Sequence, residues 1–242
     1  MFSLAKLAYM HTNTQEKIMY YSYCVPIIKE SYCCNTLLRT IKLGTTITQN
    51  QYNIICFTAI INEHMDCLRG VQVIGNSCSK ANICSFAAFM EKIEFLKYAF
   101  EIGCPWNEKV MLHSGIVGNL NCMKFAYENG CPWHESTCCI AAEYGHLDVL
   151  KYAHENNSPW DQKTTESAAK GGHLNCLIYA FENGCPWDAK TIYAAAINSN
   201  IECLKYAHSN GCPWNPNEMK GFIRNSTNEI QKYVKDNMSI TG

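Results

Sequence analysis

Residues 141–160 read AAEYGHLDVLKYAHENNSPW, and residues 168–187, which begin 27 positions later, read AAKGGHLNCLIYAFENGCPW. The shared residues include two small alanines, a Gly-His-Leu turn, a Tyr-Ala pair and a Pro-Trp pair. All five tryptophans of the chain follow a proline and keep this spacing: Trp106, Trp133, Trp160, Trp187 and Trp214. Five copies without a change in length indicate a structural repeat, in which each copy is stable only when it stacks on its neighbours.

Each repeat predicts two short helices. Gly145 is expected to end the first helix, because a residue without Cβ readily adopts the left-handed conformation found there. In the second helix, Leu147, Leu150 and Ala153 form one apolar stripe. The polar residue just after the Trp is predicted to cap the first helix in four repeats: Asn107, Asp161, Asp188 and Asn215. The residue that opens the second helix is predicted to cap that helix: Asn119, His146, His173 and Asn200.

These residues resemble a known family. Residues 141–153 are similar to the helix–turn–helix core of ankyrin repeats, and Glu-Asn-Gly-Cys-Pro-Trp at 128–133 and 182–187 resembles the 27-residue ankyrin-like repeats of giant DNA viruses. Ordinary ankyrin repeats have about 33 residues, a Thr-Pro-Leu-His helix start and a β-hairpin. The resemblance covers residues 80–214. It implies an all-α, ankyrin-like helical-repeat solenoid of stacked antiparallel helix pairs, with shortened or absent β-hairpin fingers.

The sequence predicts three regions. Residues 1–51 are expected to form a helical N-terminal segment or an eroded cap, residues 52–214 the ankyrin-like repeats with a degenerate first copy, and residues 215–242 a degenerate C-terminal capping repeat. Residues 1–51 show no clear repeat. Members of the family often carry an F-box-like helical segment at this place, and that segment is the alternative to the favoured eroded cap.

Composition and charge narrow the class of partner. The net charge is -1 and 48% of the residues are hydrophobic, so the chain can bury a core but offers no electrostatic grip on nucleic acid or an anionic membrane. No apolar run reaches the roughly 20 residues of a membrane-spanning helix, and the N-terminus does not read as a secretory signal. We expect an intracellular, cytoplasmic monomer, within the host cell if the source is viral.

Most of the 16 cysteines are interpreted as small buried residues with free thiols. Four of them occupy equivalent places in different repeats: Cys104, Cys131, Cys185 and Cys212. Stacked helices lie about 8–10 Å apart, whereas a disulfide needs Cα atoms within about 7 Å and zinc needs four ligands around one centre. We therefore expect no metal and no cofactor.

No motif for nucleophilic or acid–base catalysis is present, so the chain is not expected to be an enzyme. His146 and His173 occur where other repeats have Asn, which cannot transfer protons in this way. The predicted function is a protein–protein interaction scaffold that binds an unidentified protein, a host protein if the source is viral. The alternative is a substrate adaptor of a ubiquitin ligase, in which the N-terminal segment docks the ligase.

The predicted binding surface consists of first-helix positions that change from repeat to repeat, because stacking does not constrain them. Residues four apart share one helix face, and the resemblance implies that the first helices line the concave side. Apolar pairs on such a face favour binding over the alternative of neutral solvated positions. We expect Tyr193 and Ile197 to be replaceable without loss of the fold. The predicted partner-binding residues are Leu112, Ile116, Val117, Glu143, Tyr144, Glu166, Lys170, Tyr193 and Ile197.

Overall fold

A computed structural model describes residues 37, 46–74, 80 and 82–238 of the chain, and all its regular elements are helices. The chain divides into two compact units, Met1–Pro132 and Trp133–Gly242. Most of the predicted N-terminal segment, residues 1–51, lies outside the described residues, and the region boundaries predicted above stay predictions.

The described residues of unit 1 form three helix pairs. They are α1 (Gln49–Ile61) with α2 (Met65–Ile74), α3 (Ile83–Phe89) with α4 (Ile93–Glu101), and α5 (Lys109–Val117) with α6 (Leu120–Glu128). Within this unit, α1 packs against α3 and α3 against α5, while α4 packs against α6. First helices therefore form one layer of the stack, and the second helices α4 and α6 lie in the other.

Unit 2 contains four helix pairs. They are α7 (Thr137–Glu143) with α8 (Leu147–Glu155), α9 (Gln162–Gly171) with α10 (Leu174–Glu182), α11 (Ala189–Ile197) with α12 (Ile201–Ser209), and α13 (Pro216–Phe222), a 3-10 turn (Ile223–Asn225) and α14 (Asn228–Met238). First helices again pack against first helices. The all-α fold of stacked helix pairs predicted from the sequence is confirmed, and no strand occurs among the residues that the structure describes.

The predicted caps of the first helices are confirmed in unit 2. The side chain of Asp161 accepts a hydrogen bond from the backbone N of Lys163, and Asp188 does the same for Lys190. Each of these bonds satisfies one of the free N–H groups at a helix start. At Asp161 and Asp188, the polar residue that follows the Trp is therefore the N-cap from which the first helix begins.

Gly145 and Gly172 follow first helices with φ of 76° and 77°, as predicted for left-handed terminators. Space as well as conformation excludes a side chain at these glycines. A Cβ at Gly145 would lie 2.4 Å from Nδ1 of His173, and a Cβ at Gly172 would lie 2.6 Å from Oδ1 of Asn200. The opening residue of one second helix therefore packs directly on the turn of the preceding repeat.

This packing changes the role predicted for the opening residue. Asn119 does cap its own helix, by accepting from the backbone N of Cys122 at 2.9 Å. For His146, His173 and Asn200 the capping prediction is wrong, because none of their side chains makes the N-cap hydrogen bond.

Asn200 instead bonds the preceding repeat. Its Nδ2 donates to the carbonyl oxygens of Ala169 and Lys170 at 2.8 and 2.9 Å. His173 makes the corresponding hydrogen bond to the backbone of Glu143. The last carbonyls of a helix have no partner within the helix, so each of these side chains satisfies the end of the first helix in the repeat before it.

The tryptophans join neighbouring pairs of helices within each unit. In unit 1, the indole N–H of Trp106 donates to the carbonyl oxygen of Asn129 at 2.8 Å, and its ring stacks on Phe100 with centroids 5.1 Å apart. In unit 2, the ring of Trp187 stacks on Phe181 at 3.8 Å and meets Tyr206 edge-on at 6.3 Å. The rings are half-buried, so they close the edge of the stack and do not lie at its centre.

Two substitutions of Trp106 should distinguish the contribution of its ring to stability from the contribution of its hydrogen bond. We expect Trp106→Phe to lower the free energy of unfolding by about 1 kcal/mol, because it loses the bond to Asn129 but keeps an aromatic ring. Trp106→Ala should cost about 3 kcal/mol, because it also removes the contact with Phe100. Urea unfolding monitored by circular dichroism measures both values. Equal stability of the two variants would show that the ring contributes nothing to the packing.

His173 should make stability depend on pH. Burial, and next the neighbouring His146, lower the pKa of His173 below its ordinary value of 6.5. The folded state therefore favours the neutral ring, and its contribution is complete above pH 6.5 and decreases as the pH falls below it. In His173→Asn, which copies Asn200, stability should fall less between pH 7 and 5.5 than in the wild type. Parallel unfolding free energies of the two proteins over this range would contradict the assignment.

Candidate partner-binding surface

In unit 2, the structure places several predicted binding residues on one layer of first helices. Lys170 on α9 is exposed and pairs with half-buried Glu143 on α7, with 2.9 Å between Nζ and Oε1. Glu166 and Tyr144 are half-buried. An ion pair of this kind contributes at most about 1 kcal/mol, so Glu143 and Lys170 are accessible and only weakly held by each other.

Tyr193 on α11 is held by the following repeat. Its hydroxyl donates to Oε2 of Glu218 at 3.0 Å and accepts from the backbone N of Asn215 at 3.0 Å. Its ring lies against that of Phe222, with centroids 5.1 Å apart. Burial is the main cause that raises the pKa of Tyr193. The expectation that Tyr193 can be replaced without loss of the fold stays a prediction, but these contacts connect α11 to α13 and give the replacement a cost in stability.

Ile197 and Phe222 are the exposed apolar side chains next to Tyr193. Ile197 is 49% exposed and lies one turn after Tyr193 on α11, and Phe222 on α13 is 46% exposed. We call Tyr193, Ile197 and Phe222 the apolar patch. Phe222 was missed from the sequence, although a signal existed: it stands 27 residues after Ala195, where the other repeats have small residues.

Fewer of the predicted binding residues in unit 1 are accessible than the sequence predicts. Leu112 and Val117 on α5 are half-buried, but Ile116 is only 1% exposed. Its prediction as a surface residue is wrong. The equivalent positions in unit 2 carry Glu143, Lys170 and Ile197, and Ile197 is 49% exposed, so the same residue type is buried in one repeat and exposed in another. Variation at this position therefore reflects different environments and not a shared exposed face.

A cleft of about 350 Å³ lies in the last repeat of unit 2. Its lining combines basic and apolar side chains: Lys220, Ile223, Arg224, Gln231, Val234 and Lys235. Lys220 and Arg224 stand 27 residues after Tyr193 and Ile197. The positions of Tyr193 and Ile197, which vary among the repeats, are therefore occupied in the last repeat by basic residues that line this cleft.

Cys131 and Cys185 have little tendency to form the reactive thiolate. Burial raises the pKa of Cys131 and Cys185 to about 12, so both are protonated at neutral pH. The sulfur of Cys185 contacts the carbonyl oxygen of Asp161 at 3.1 Å, and that of Cys212 contacts Asp188 at 3.2 Å. These cysteines tie a connection to the start of the preceding first helix and are not exposed nucleophiles.

Two further searches concern only the described residues. No group of three or more His, Cys, Asp or Glu side chains there could hold a metal ion. No described helix is long and apolar enough to cross a membrane.

Comparison with known proteins finds little sequence similarity. No family model matches the sequence, and no curated protein matches it. Among solved structures, the chain is similar to the crystal structure of the human ASB11 ankyrin repeat domain, with 15% identity, coverage of 76% of this chain and 83% of that chain, and a TM-score of 0.36. A likeness at this level supports no inference about the binding site, which depends on the contacts of this chain itself.

Tyr193 and Ile197, both on α11, should respond differently to substitution. Tyr193→Ala removes two hydrogen bonds and a ring contact, so we expect it to lower the free energy of unfolding by about 1–3 kcal/mol. Ile197→Ser alters an exposed side chain and should change it by less than about 0.5 kcal/mol. Urea unfolding of both variants tests this difference. An unaltered midpoint for Tyr193→Ala would mean that its contacts with α13 do not contribute to stability.

Proposed function

We propose that the chain is a protein–protein interaction scaffold and that its partner contacts the apolar patch of unit 2. The supporting observation is that Ile197 on α11 and Phe222 on α13 are both exposed and that these two helices pack together. Exposed apolar groups that lie close together are typical of interaction sites, whereas scattered ones are ordinary.

The stacked helices suit this role because folding already orders the side chains of the patch before a partner binds. Tyr193 is fixed by Glu218 and Asn215, and its ring supports that of Phe222. A patch whose side chains are already ordered loses less conformational entropy on binding than a flexible one. The proposed activity is therefore binding without catalysis.

The more specific predictions are supported by the sequence alone. Adaptor function in a ubiquitin ligase depends on residues 1–51, of which the structure describes only a few. The viral likeness of the Cys-Pro-Trp connection, a host partner, a cytoplasmic location and a monomeric state likewise rest on composition and resemblance. The proposal of a binding scaffold does not depend on any of them.

Affinity capture with patch and control variants tests the proposal. The partner captured by the wild type should bind Ile197→Asp/Phe222→Ser at least about tenfold more weakly, which corresponds to about 1.4 kcal/mol, because a charge and a hydroxyl replace the apolar contact. Val73→Asp is the matched control, since Val73 is an apolar residue of unit 1 with 78% exposure. Equal affinity of the patch variant and the control would exclude the patch as the site.

A further inference from the structure

The surface of unit 2 changes character along the stack. On α9 the two variable positions are Glu166 and Lys170, and Lys170 is neutralised by Glu143. On α11 they become Tyr193 and Ile197, within the apolar patch. In the last repeat they become basic. A partner segment that runs along these helices thus meets paired charges, then apolar groups, then cations.

The cations of the last repeat surround an apolar floor. Ile223 is 6% exposed and Val234 is buried, while the side chains of Lys220, Arg224 and Lys235 are exposed at the margin of the cleft. This combination suits a ligand with both apolar and anionic groups. A purely apolar ligand would leave the cations unused, and a simple anion would leave the floor unused.

Backbone acceptors near the cleft are already occupied. The Nε2 of Gln231 donates to the carbonyl oxygens of Ile223, Arg224 and Ser226 at 3.3, 3.4 and 3.1 Å. Gln231 therefore covers these oxygens, and the charged groups that the cleft offers to a ligand are the N–H donors of its basic side chains. Charged donors favour a ligand that accepts hydrogen bonds, as a carboxylate does.

The three cations lack a carboxylate partner within the described residues. Other lysines of unit 2, such as Lys170 and Lys205, form ion pairs with glutamates, but no described carboxylate lies within 4.0 Å of Lys220, Arg224 or Lys235. Like charges around one cleft repel each other, and an incoming carboxylate would relieve that repulsion.

None of the acidic side chains described on the same elements lines the cleft. Glu218 accepts from Tyr193 and from Asn215, and Glu229 lies 3.8 Å from Lys205. Asp236 is exposed on α14 beside Lys235 in sequence. The cleft therefore keeps a positive balance.

We propose that the partner binds through an acidic amphipathic peptide segment. Its apolar side chains cover Ile197 and Phe222, and its carboxylates bind Lys220, Arg224 and Lys235. Phe222 stands between Lys220 and Arg224 in the sequence of α13 and the 3-10 turn, so one short segment can reach both kinds of contact. This inference rests on the proposed function and adds the chemistry of the partner.

The test is selection of peptides on the intact chain. A displayed library of random peptides of about 12 residues is panned on the wild type, and enriched peptides are synthesised with a fluorescent label. We expect peptides with a net negative charge and at least one large apolar residue, bound more weakly as salt increases. Neutral or basic peptides among the tightest binders would overturn the proposal.

Charge-reversed variants locate the binding site of these peptides. Lys220→Glu/Lys235→Glu should weaken binding at least about tenfold, and the control Lys163→Glu/Lys190→Glu should change it by less than about twofold. The control alters two exposed lysines of the same unit, on α9 and α11, and introduces the same change in net charge. Circular dichroism checks that both variants fold.

The outcomes separate the two proposals. Peptides that lose affinity in Ile197→Asp/Phe222→Ser but not in Lys220→Glu/Lys235→Glu would retain the interaction scaffold and refute the acidic segment. Enrichment of no peptide would contradict both. Tighter binding of a single-stranded oligonucleotide than of any peptide, with the same loss in Lys220→Glu/Lys235→Glu, would assign the cleft to nucleic acid and refute a peptide ligand.

Discussion

The helices of this chain are too short to be stable alone in water. The helices of the described residues contain 7 to 13 residues, whereas isolated helices below about 12–15 residues are marginal even in favourable sequences. Each pair therefore depends on side chains that cross to the next pair. The indole of Trp106 reaches the carbonyl of Asn129, and the amide of Asn200 reaches the end of α9. These bonds place the polar ends of helices in contact with neighbours, while alanines fill the space between helices.

The same dependence explains the spacing of 27 residues. A Trp can meet the following second helix only if the intervening connection and helices keep a constant length. A glycine such as Gly172 must also end each first helix without a side chain, since Asn200 occupies the space where a Cβ would lie. Changing the length of one repeat would displace both contacts together, so the period itself is under physical constraint.

Local features of the repeat were predictable because short-range rules determine them. The left-handed glycines and the caps at Asp161 and Asp188 follow from the residue and its position alone. The role of Asn200 was not predictable from the sequence, because its partners lie 30 and 31 residues earlier and an Asn before a helix is ordinarily a cap. Variation among repeats was also an incomplete guide. It identified positions free of stacking requirements, but Ile116 at such a position is buried, and Phe222 was hidden by the degeneracy of the last repeat.

The apolar patch shows how stacking and binding compete for the same side chains. The hydroxyl of Tyr193 already has a donor and an acceptor partner in the adjacent repeat, and its ring already contacts Phe222. A partner that used this hydroxyl would have to replace existing bonds and would gain little net free energy. The available free energy of binding therefore lies in groups that folding leaves exposed, namely Ile197, Phe222 and the basic side chains of the last repeat. Tyr193 acts as the support of that surface, and its loss would weaken binding through the position of Phe222.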